Sequence, residues 1–322
     1  MSQPLLLVED LKTYFYLPEG VLRAVDGLNL IVNRNEIVGI IGESGSGKTV
    51  TALSILRIVP PPGRIVDGKI VFDGENLLEK SEEEMMKIRG GKISMIFQDP
   101  ISSLDPLYRV KDQLSEVIRM HRGLTDESEI KEEIIRLLSM VKIPDPDRLM
   151  NAYPHELSGG MAQRVMIAIA LASNPLLLIA DEPTSNLDVT IQAQILELLR
   201  ELHERRGLSI LMISHNFGVI AELCDKVVVM YCGEAIESGS LIDVFENPAH
   251  PYTKGLLSVV PKLHGVSKHF ETIPGSLPNP LNPPSGCKFH PRCPKAMNIC
   301  RKVKPPRCKL NRDHVVSCHL YT

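Results

Sequence analysis

Residues 42–49 read GESGSGKT and follow directly on the apolar run EIVGII at 36–41. Glycines at this density let the backbone curl so that successive N–H groups face inward. A helix opening at VTALSILRI adds the partial positive charge of its N-terminus. Strand, loop and helix in this order make a cradle for phosphate oxygens. In it Lys48 reaches the β- and γ-phosphates and the Thr49 hydroxyl ligates Mg²⁺. A plain glycine-rich turn is the alternative, but the Lys-Thr pair and both flanking elements make a nucleoside triphosphate the expected ligand.

A second apolar run, LLLIA at 176–180, ends in Asp181 and Glu182. This puts two carboxylates at the C-terminal edge of a buried parallel strand, where open α/β sheets bind ligands. Asp181 suits Mg²⁺ coordination, and Glu182 suits polarising a water, which makes hydrolysis the natural chemistry. A third run, SILMIS at 209–214, delivers His215 to the same edge, where it donates to the γ-phosphate unless it is simply a surface residue. ELSGGMAQRVMIAIALA at 156–172 sets Ser158, Gly159 and Gly160 at the mouth of a helix, a second anion-binding N-terminus in one chain.

The elements that must position these groups are legible by pattern. Between Gln98 and Ser158 lie 59 residues, including VKDQLSEVIRMHR and DESEIKEEIIRLLSMVKI. There Ile130, Ile134, Leu137, Leu138 and Val141 recur with helical period, and Asp126 with Glu129 suggests a capping box. The reading is a compact helical insertion over about residues 100–170. The fold class is α/β.

Composition bounds the rest. The 322 residues carry 36 Lys and Arg against 39 Asp and Glu, a formal net charge of −3, which argues against nucleic-acid binding by bulk charge. With 43% hydrophobic residues and mean hydropathy +0.01 the chain is of globular type, with no disordered or collagenous bias. The longest apolar uncharged stretch, 165–180, is interrupted at Ser173, Asn174 and Pro175 and falls short of the ~20 residues of a spanning helix. The N-terminus does not read as a signal peptide. Residues 256–322 hold 11 Lys and Arg against 2 Asp and Glu, 10 of the 24 prolines and 5 of the 7 cysteines, whereas residues 1–255 hold 25 basic against 37 acidic. Two domains are therefore expected, 1–255 and 256–322.

Taken together, these motifs resemble the ATP-binding-cassette ATPases over nearly all of residues 5–250. The resemblance matches Gly42, Glu43, Ser44, Gly45, Ser46, Gly47, Lys48 and Thr49 to the Walker A loop, and Gln98 to the Q-loop glutamine. LSGGM at 157–161 matches the signature, Asp181 and Glu182 match Walker B and its catalytic carboxylate, SNLD at 185–188 the D-loop, and His215 the switch histidine. It implies a P-loop, RecA-like core with an antiparallel β-subdomain and an inserted helical subdomain. It also implies ATP bound with Mg²⁺ at Thr49, Gln98 and Asp181, and catalysis by Glu182, His215 and Gln98. Ser158, Gly159, Gly160 and Asp188 would serve the nucleotide of a second cassette in trans. Phe15 aligns best with the aromatic that stacks on adenine; Tyr14 or Tyr16 could take that role, and all three fit a core.

FQDPISSLDP, YPHELSGGM, DVTIQAQIL and NPAHPYTKGLL resemble the ATPase subunits of dipeptide and oligopeptide importers. That family pairs a second ATPase subunit and two membrane-spanning permease subunits, fed by a peptide-binding protein, and sits peripherally on the cytoplasmic side of the cell membrane. QDPISSLDPLYRV at 98–110 would line the groove for the permease. Departures are Met161, Ala162, Asn186 and Asn216, with Ala162 and Asn186 near the implied seam between cassettes. A soluble cassette ATPase acting on nucleic acid or ribosomes, and a metal- or redox-sensing regulatory ATPase, are the alternatives.

The tail cysteines Cys287, Cys293, Cys300, Cys308 and Cys318 are spaced C-x5-C-x6-C-x7-C-x9-C, without the C-x2-C pair of zinc ribbons. The tail's basic residues could support thiolates around a soft metal. A [4Fe–4S] cluster, a structural Zn²⁺ and unligated thiols compete. The resemblance implies Cys287, Cys293, Cys300 and Cys318 as cluster ligands, with Cys308 extra. His290, His314 and His319 are possible zinc ligands, and Cys224 and Cys232 read as core.

Overall fold

A computed structural model of the chain describes residues 3–185, 187–258 and 273–322. Asn186 and the stretch 259–272 lie outside the described residues. The chain divides into two compact units, Met1–Leu78 with Met212–Thr322, and Glu79–Leu211.

The first unit contains the expected antiparallel subdomain. Strand Leu6–Leu17 pairs with Gly20–Val32 on one side and Gly63–Phe72 on the other, with short Glu75–Asn76 at the edge. Leu6, Val8, Leu11, Val25, Leu28 and Leu30 are buried, a period-two pattern of a sheet with one packed face whose phase shifts where the register is irregular, as between Val8 and Leu11. The phosphate loop hangs from a different sheet. Strand Ile37–Ile41, buried at all five residues, runs parallel to Lys226–Tyr231, which pairs antiparallel with Glu234–Ser240. The tail then adds two strands that the sequence does not announce. Val315–Ser317 pairs antiparallel with Glu234–Ser240, and Arg307–Lys309 pairs with Val315–Ser317.

The second unit holds the helical insertion. Helix Val110–Arg122 buries Val110, Leu114 and Ile118. Helix Glu127–Met140 buries Ile130, Ile134, Leu137 and Leu138, and Asp126 caps it by accepting from the Ser128 and Glu129 amides. Helix Gly159–Leu171 packs against both of these helices. Its Arg164 donates to the Val141 carbonyl at 2.7 Å and to Gln194 at 2.9 Å. Strands Ile93–Ile96 and Leu177–Asp181 run parallel and carry their next residues to the same end. No helix among the described residues is long and apolar enough to cross a membrane.

Candidate functional site

The phosphate loop begins where strand Ile37–Ile41 ends, and its curl depends on two glycines. A Cβ on Gly42 would stand 2.3 Å from the Met230 carbonyl oxygen. One on Gly47, at φ +104°, would stand 2.2 Å from that of Ala24. Gly47 opens helix Lys48–Ile55. Lys48 is buried, its Nζ donating to the Gly42 and Glu43 carbonyls at 2.9 and 3.1 Å, while Ser44, Gly45 and Thr49 are exposed. The Ser46 hydroxyl is buried with no hydrogen-bond partner among the described residues, an orphan donor beside the helix N-terminus. These features fit a phosphate ligand.

The loop is braced by residues that sequence reasoning did not assign to it. The Glu43 amide donates to the Tyr252 hydroxyl at 3.1 Å, and the Arg292 guanidinium grips the Glu43 carboxylate with two bonds of 2.7 and 3.0 Å. The Gly233 amide donates to the Ser46 carbonyl at 2.9 Å. Tyr252 belongs to the HPYT string, so a signal existed, but it pointed to subfamily and not to the loop.

In the other unit, Asp181 closes strand Leu177–Asp181 and is buried, and Glu182 follows in the left-handed region at φ +47°. The strained turn is held by Ser185, whose amide and hydroxyl both donate to the Glu182 carbonyl, at 3.1 and 2.9 Å. Ser185 also donates to the Gln98 carbonyl at 3.2 Å, and the Gln98 side-chain amide donates to the Glu182 carboxylate at 3.1 Å. The Gln98 amide oxygen thereby stays available as an acceptor. Ser158 caps helix Gly159–Leu171, accepting from Met161, and Ser158 and Gly159 are exposed. Asp188 is exposed and caps helix Val189–Arg206, accepting from Ile191 at 2.9 Å. Ala162 is fully buried.

His215 is exposed directly after strand Ser209–Ser214, and Asn216 caps the following helix Phe217–Leu223. Of the three aromatics, Tyr14 donates to Asp26 at 2.7 Å, Phe15 is half-buried against Gly63, and Tyr16 is exposed with the Arg64 guanidinium 6.0 Å from its ring centre.

In the tail, burial pushes the Cys287 thiol up to about 11. The Cys300, Cys318 and Cys293 sulfurs add to the rise and the Phe289 amide opposes it. The Cys293 and Cys318 thiols are raised by burial in the same way, each with an opposing backbone amide, from Lys295 and Leu320. Among the described residues, no group of three or more His, Cys, Asp or Glu side chains gathers at metal-holding geometry. The three histidines are engaged in the fold: His314 with Glu237 at 2.8 Å, His319 with the Val303 carbonyl and His290 with the Cys287 carbonyl, both at 2.9 Å. Cys224 is buried, as expected of core, and Cys232 is half-buried.

The ABC transporter family model matches residues 25–185, and the model of the oligopeptide/dipeptide transporter C-terminal region matches residues 236–300. The chain is 50% identical to the oligopeptide transport ATP-binding protein OppD of Salmonella typhimurium, over 94% of this chain and 89% of that one. It is 46% identical to the oligopeptide transport ATP-binding protein AppD of Bacillus subtilis, over 98% and 97%. Among solved structures it is similar to the dimeric ABC transporter cassette MJ0796, with TM-score 0.67 and 28% identity over 73% of this chain and 98% of that one. The same cassette in a dimeric post-hydrolysis state bound to ADP and Pi gives 0.66. With its braced phosphate loop, its carboxylate strand end and its matched C-terminal region, the chain belongs to the oligopeptide/dipeptide family of ABC transporter ATP-binding proteins.

Proposed function

We propose that this chain is the ATP-hydrolysing subunit that powers import of di- or oligopeptides, working on the cytoplasmic face of a membrane with a second cassette and two permease subunits. Residues 1–255 form the cassette in this reading and residues 256–322 an appended module. The observation that carries the hydrolytic part is the Gln98–Glu182 hydrogen bond at the end of strand Leu177–Asp181. The peptide part is supported by the matched C-terminal region and by the names of the relatives.

In this mechanism the amides of residues 42–49 and the Lys48 ammonium bind the phosphates. Glu182, oriented by Gln98, accepts the proton of the attacking water as the bond from the γ-phosphorus to the bridging oxygen breaks and ADP leaves. His215 donates to the γ-phosphate. Ser158, Gly159, Gly160 and Asp188 serve the partner's nucleotide in trans, and Phe15 stacks on adenine. Mg²⁺ would screen the phosphate charge when bound. The Thr49 hydroxyl, the Asp181 carboxylate and the Gln98 amide oxygen are the hard oxygen donors that would hold it.

The module's Cys287, Cys293, Cys300 and Cys318 are proposed as thiolate ligands of a [4Fe–4S] cluster, with Zn²⁺ the other candidate, which would staple a proline-rich segment poor in core residues. Support comes from the resemblance of the tail's cysteine pattern to that of peptide-importer ATPases and from the amides of Phe289, Lys295 and Leu320, which bond to the Cys287, Cys293 and Cys318 sulfurs. Iron, sulfide and zinc analysis of anaerobically purified wild type and Cys293→Ser tests this; metal-free wild type overturns it.

The transport reading predicts that a strain lacking the chain loses peptide uptake and that the wild-type gene restores it. Undiminished uptake of peptides of every length refutes it.

A further inference from the structure

Besides the strand and the histidine that meet Glu234–Ser240, one short segment of the cysteine-rich tail reaches the phosphate loop, and that segment carries charges the hydrolytic mechanism does not use. Between Cys287 and Cys293 stand Lys288, Phe289 and Arg292, all buried. Arg292 closes a two-pronged grip on Glu43 and donates through Nε to the Pro274 carbonyl at 3.0 Å. Its guanidinium lies 5.9 Å from the centre of the Tyr231 ring. Phe289 packs edge-on against Tyr231 and Tyr252, with ring centres 5.3 and 5.4 Å apart, and the Tyr252 hydroxyl accepts from the Glu43 amide. Lys288 pairs with Asp26 at 2.9 Å and Glu234 at 3.1 Å, and donates to the Cys232 carbonyl at 2.9 Å. The next residue, Gly233, is the one whose amide holds the Ser46 carbonyl.

The phosphate loop is therefore clamped at two points, Glu43 at its start and Ser46 at its centre, and both clamps lead to one seven-residue stretch of the tail. A forked guanidinium–carboxylate pair fixes direction as well as distance. Charge gives it a second effect. Glu43 is a carboxylate inside a loop that receives a polyphosphate, and without a counter-charge it repels what the loop must bind.

We infer that Arg292 is a positioning residue for nucleotide binding: it neutralises and aims Glu43, so the segment 287–293 of the tail sets the affinity of the phosphate loop. This rests on the proposed ATP-binding role of residues 42–49.

The test is equilibrium binding of ATP and ADP to the full chain, with KM and kcat measured in parallel. The variants are Arg292→Ala, Arg292→Lys, Glu43→Gln and the double variant Glu43→Gln/Arg292→Ala. Arg292→Ala is expected to raise the nucleotide Kd about tenfold, with the larger share of its kinetic loss in KM. Arg292→Lys keeps the charge and loses the fork, and should raise Kd about threefold. The double variant, with the repelling carboxylate gone, should bind more tightly than Arg292→Ala alone, an interaction that an additive loss of fold cannot produce. A Kd within twofold of wild type for Arg292→Ala, or a double variant no better than that single one, overturns the inference. Should Arg292→Ala fail to fold, an unchanged Kd in Arg292→Lys overturns it equally. Lys48→Ala separates the two readings. If it binds nucleotide as wild type does, the ATP-site assignment falls and takes this inference with it. If it loses binding while the Arg292 variants keep theirs, only the inference falls.

Discussion

The phosphate loop and the carboxylate strand end are held by opposite means. At the strand end the holding is mostly local: Glu182 is kept in the left-handed region by Ser185 three residues on, and Gln98 steadies its side chain. The loop is held from far along the chain, by Tyr252 and Arg292, which lie 209 and 249 residues from Glu43. The difference teaches where a mutation acts. On the proposed mechanism changes at the strand end would touch chemistry directly, and on the role inferred for Arg292 changes in the distant C-terminal region would reach the nucleotide through the loop.

The largest expected effect sharpens that division. Glu182→Gln keeps the shape of the side chain and removes the proton acceptor, so turnover should fall about a thousandfold, roughly 4 kcal/mol of barrier. Nucleotide Kd should stay within about threefold. Phosphate release measured beside equilibrium binding checks this, and a variant with wild-type turnover refutes the role given to Glu182.

Next in size is a stability effect at the root of the distant brace. The Glu237 carboxylate is buried and accepts from the Ala249 and His250 amides at 2.6 and 2.9 Å and from His314 at 2.8 Å, tying the strand beside the tail to the HPYT segment. Glu237→Ala strands three donors and should cost about 3 kcal/mol of unfolding free energy. Denaturant titration measures it, and a loss below about 1 kcal/mol breaks the idea that this carboxylate anchors the brace. Lys48→Ala follows, with an expected rise in nucleotide Kd of about thirtyfold, roughly 2 kcal/mol.

What was legible in the sequence follows the same division. GESGSGKT, Asp181, Glu182 and helix Glu127–Met140 are written in local spacing and hydrophobic period, and the structure places each in its expected element. Strands Arg307–Lys309 and Val315–Ser317 have three residues each, too few for a period to register, so nothing in the sequence announces that the tail extends a sheet. The basic tail reads from composition as support for thiolates. Lys288 and Arg292, however, spend their charge on Asp26, Glu234 and Glu43, and nothing in a spacing can announce partners such as Asp26 and Glu43, 262 and 249 residues away.

The smallest expected effect also tests whether the two regions respond separately. His250 is buried beside the brace, and its Nδ1 accepts from the Tyr252 amide at 3.1 Å, which requires a neutral ring. Burial, with Lys254 nearby, holds its pKa down to about 3 against 6.5 for a free imidazole. In the unfolded chain this histidine takes up its proton near pH 6.5, whereas in the folded chain it resists to about 3. Its contribution is therefore intact above about pH 6.5 and falls steadily as acid is added through that window. Between pH 7 and 5.5 the loss should be about 1 kcal/mol. His250→Asn preserves an acceptor for the Tyr252 amide and cannot titrate, so its stability should decline less over that range by about the same amount. Because the folded ring stays neutral down to about pH 3, nucleotide binding should show the same pH profile in wild type and His250→Asn over that range, as should the dependence on Glu182 for turnover. Equal pH profiles for stability would remove His250 from the brace. Binding profiles that differ over that range would mean that the folded ring titrates there, against its buried, neutral state.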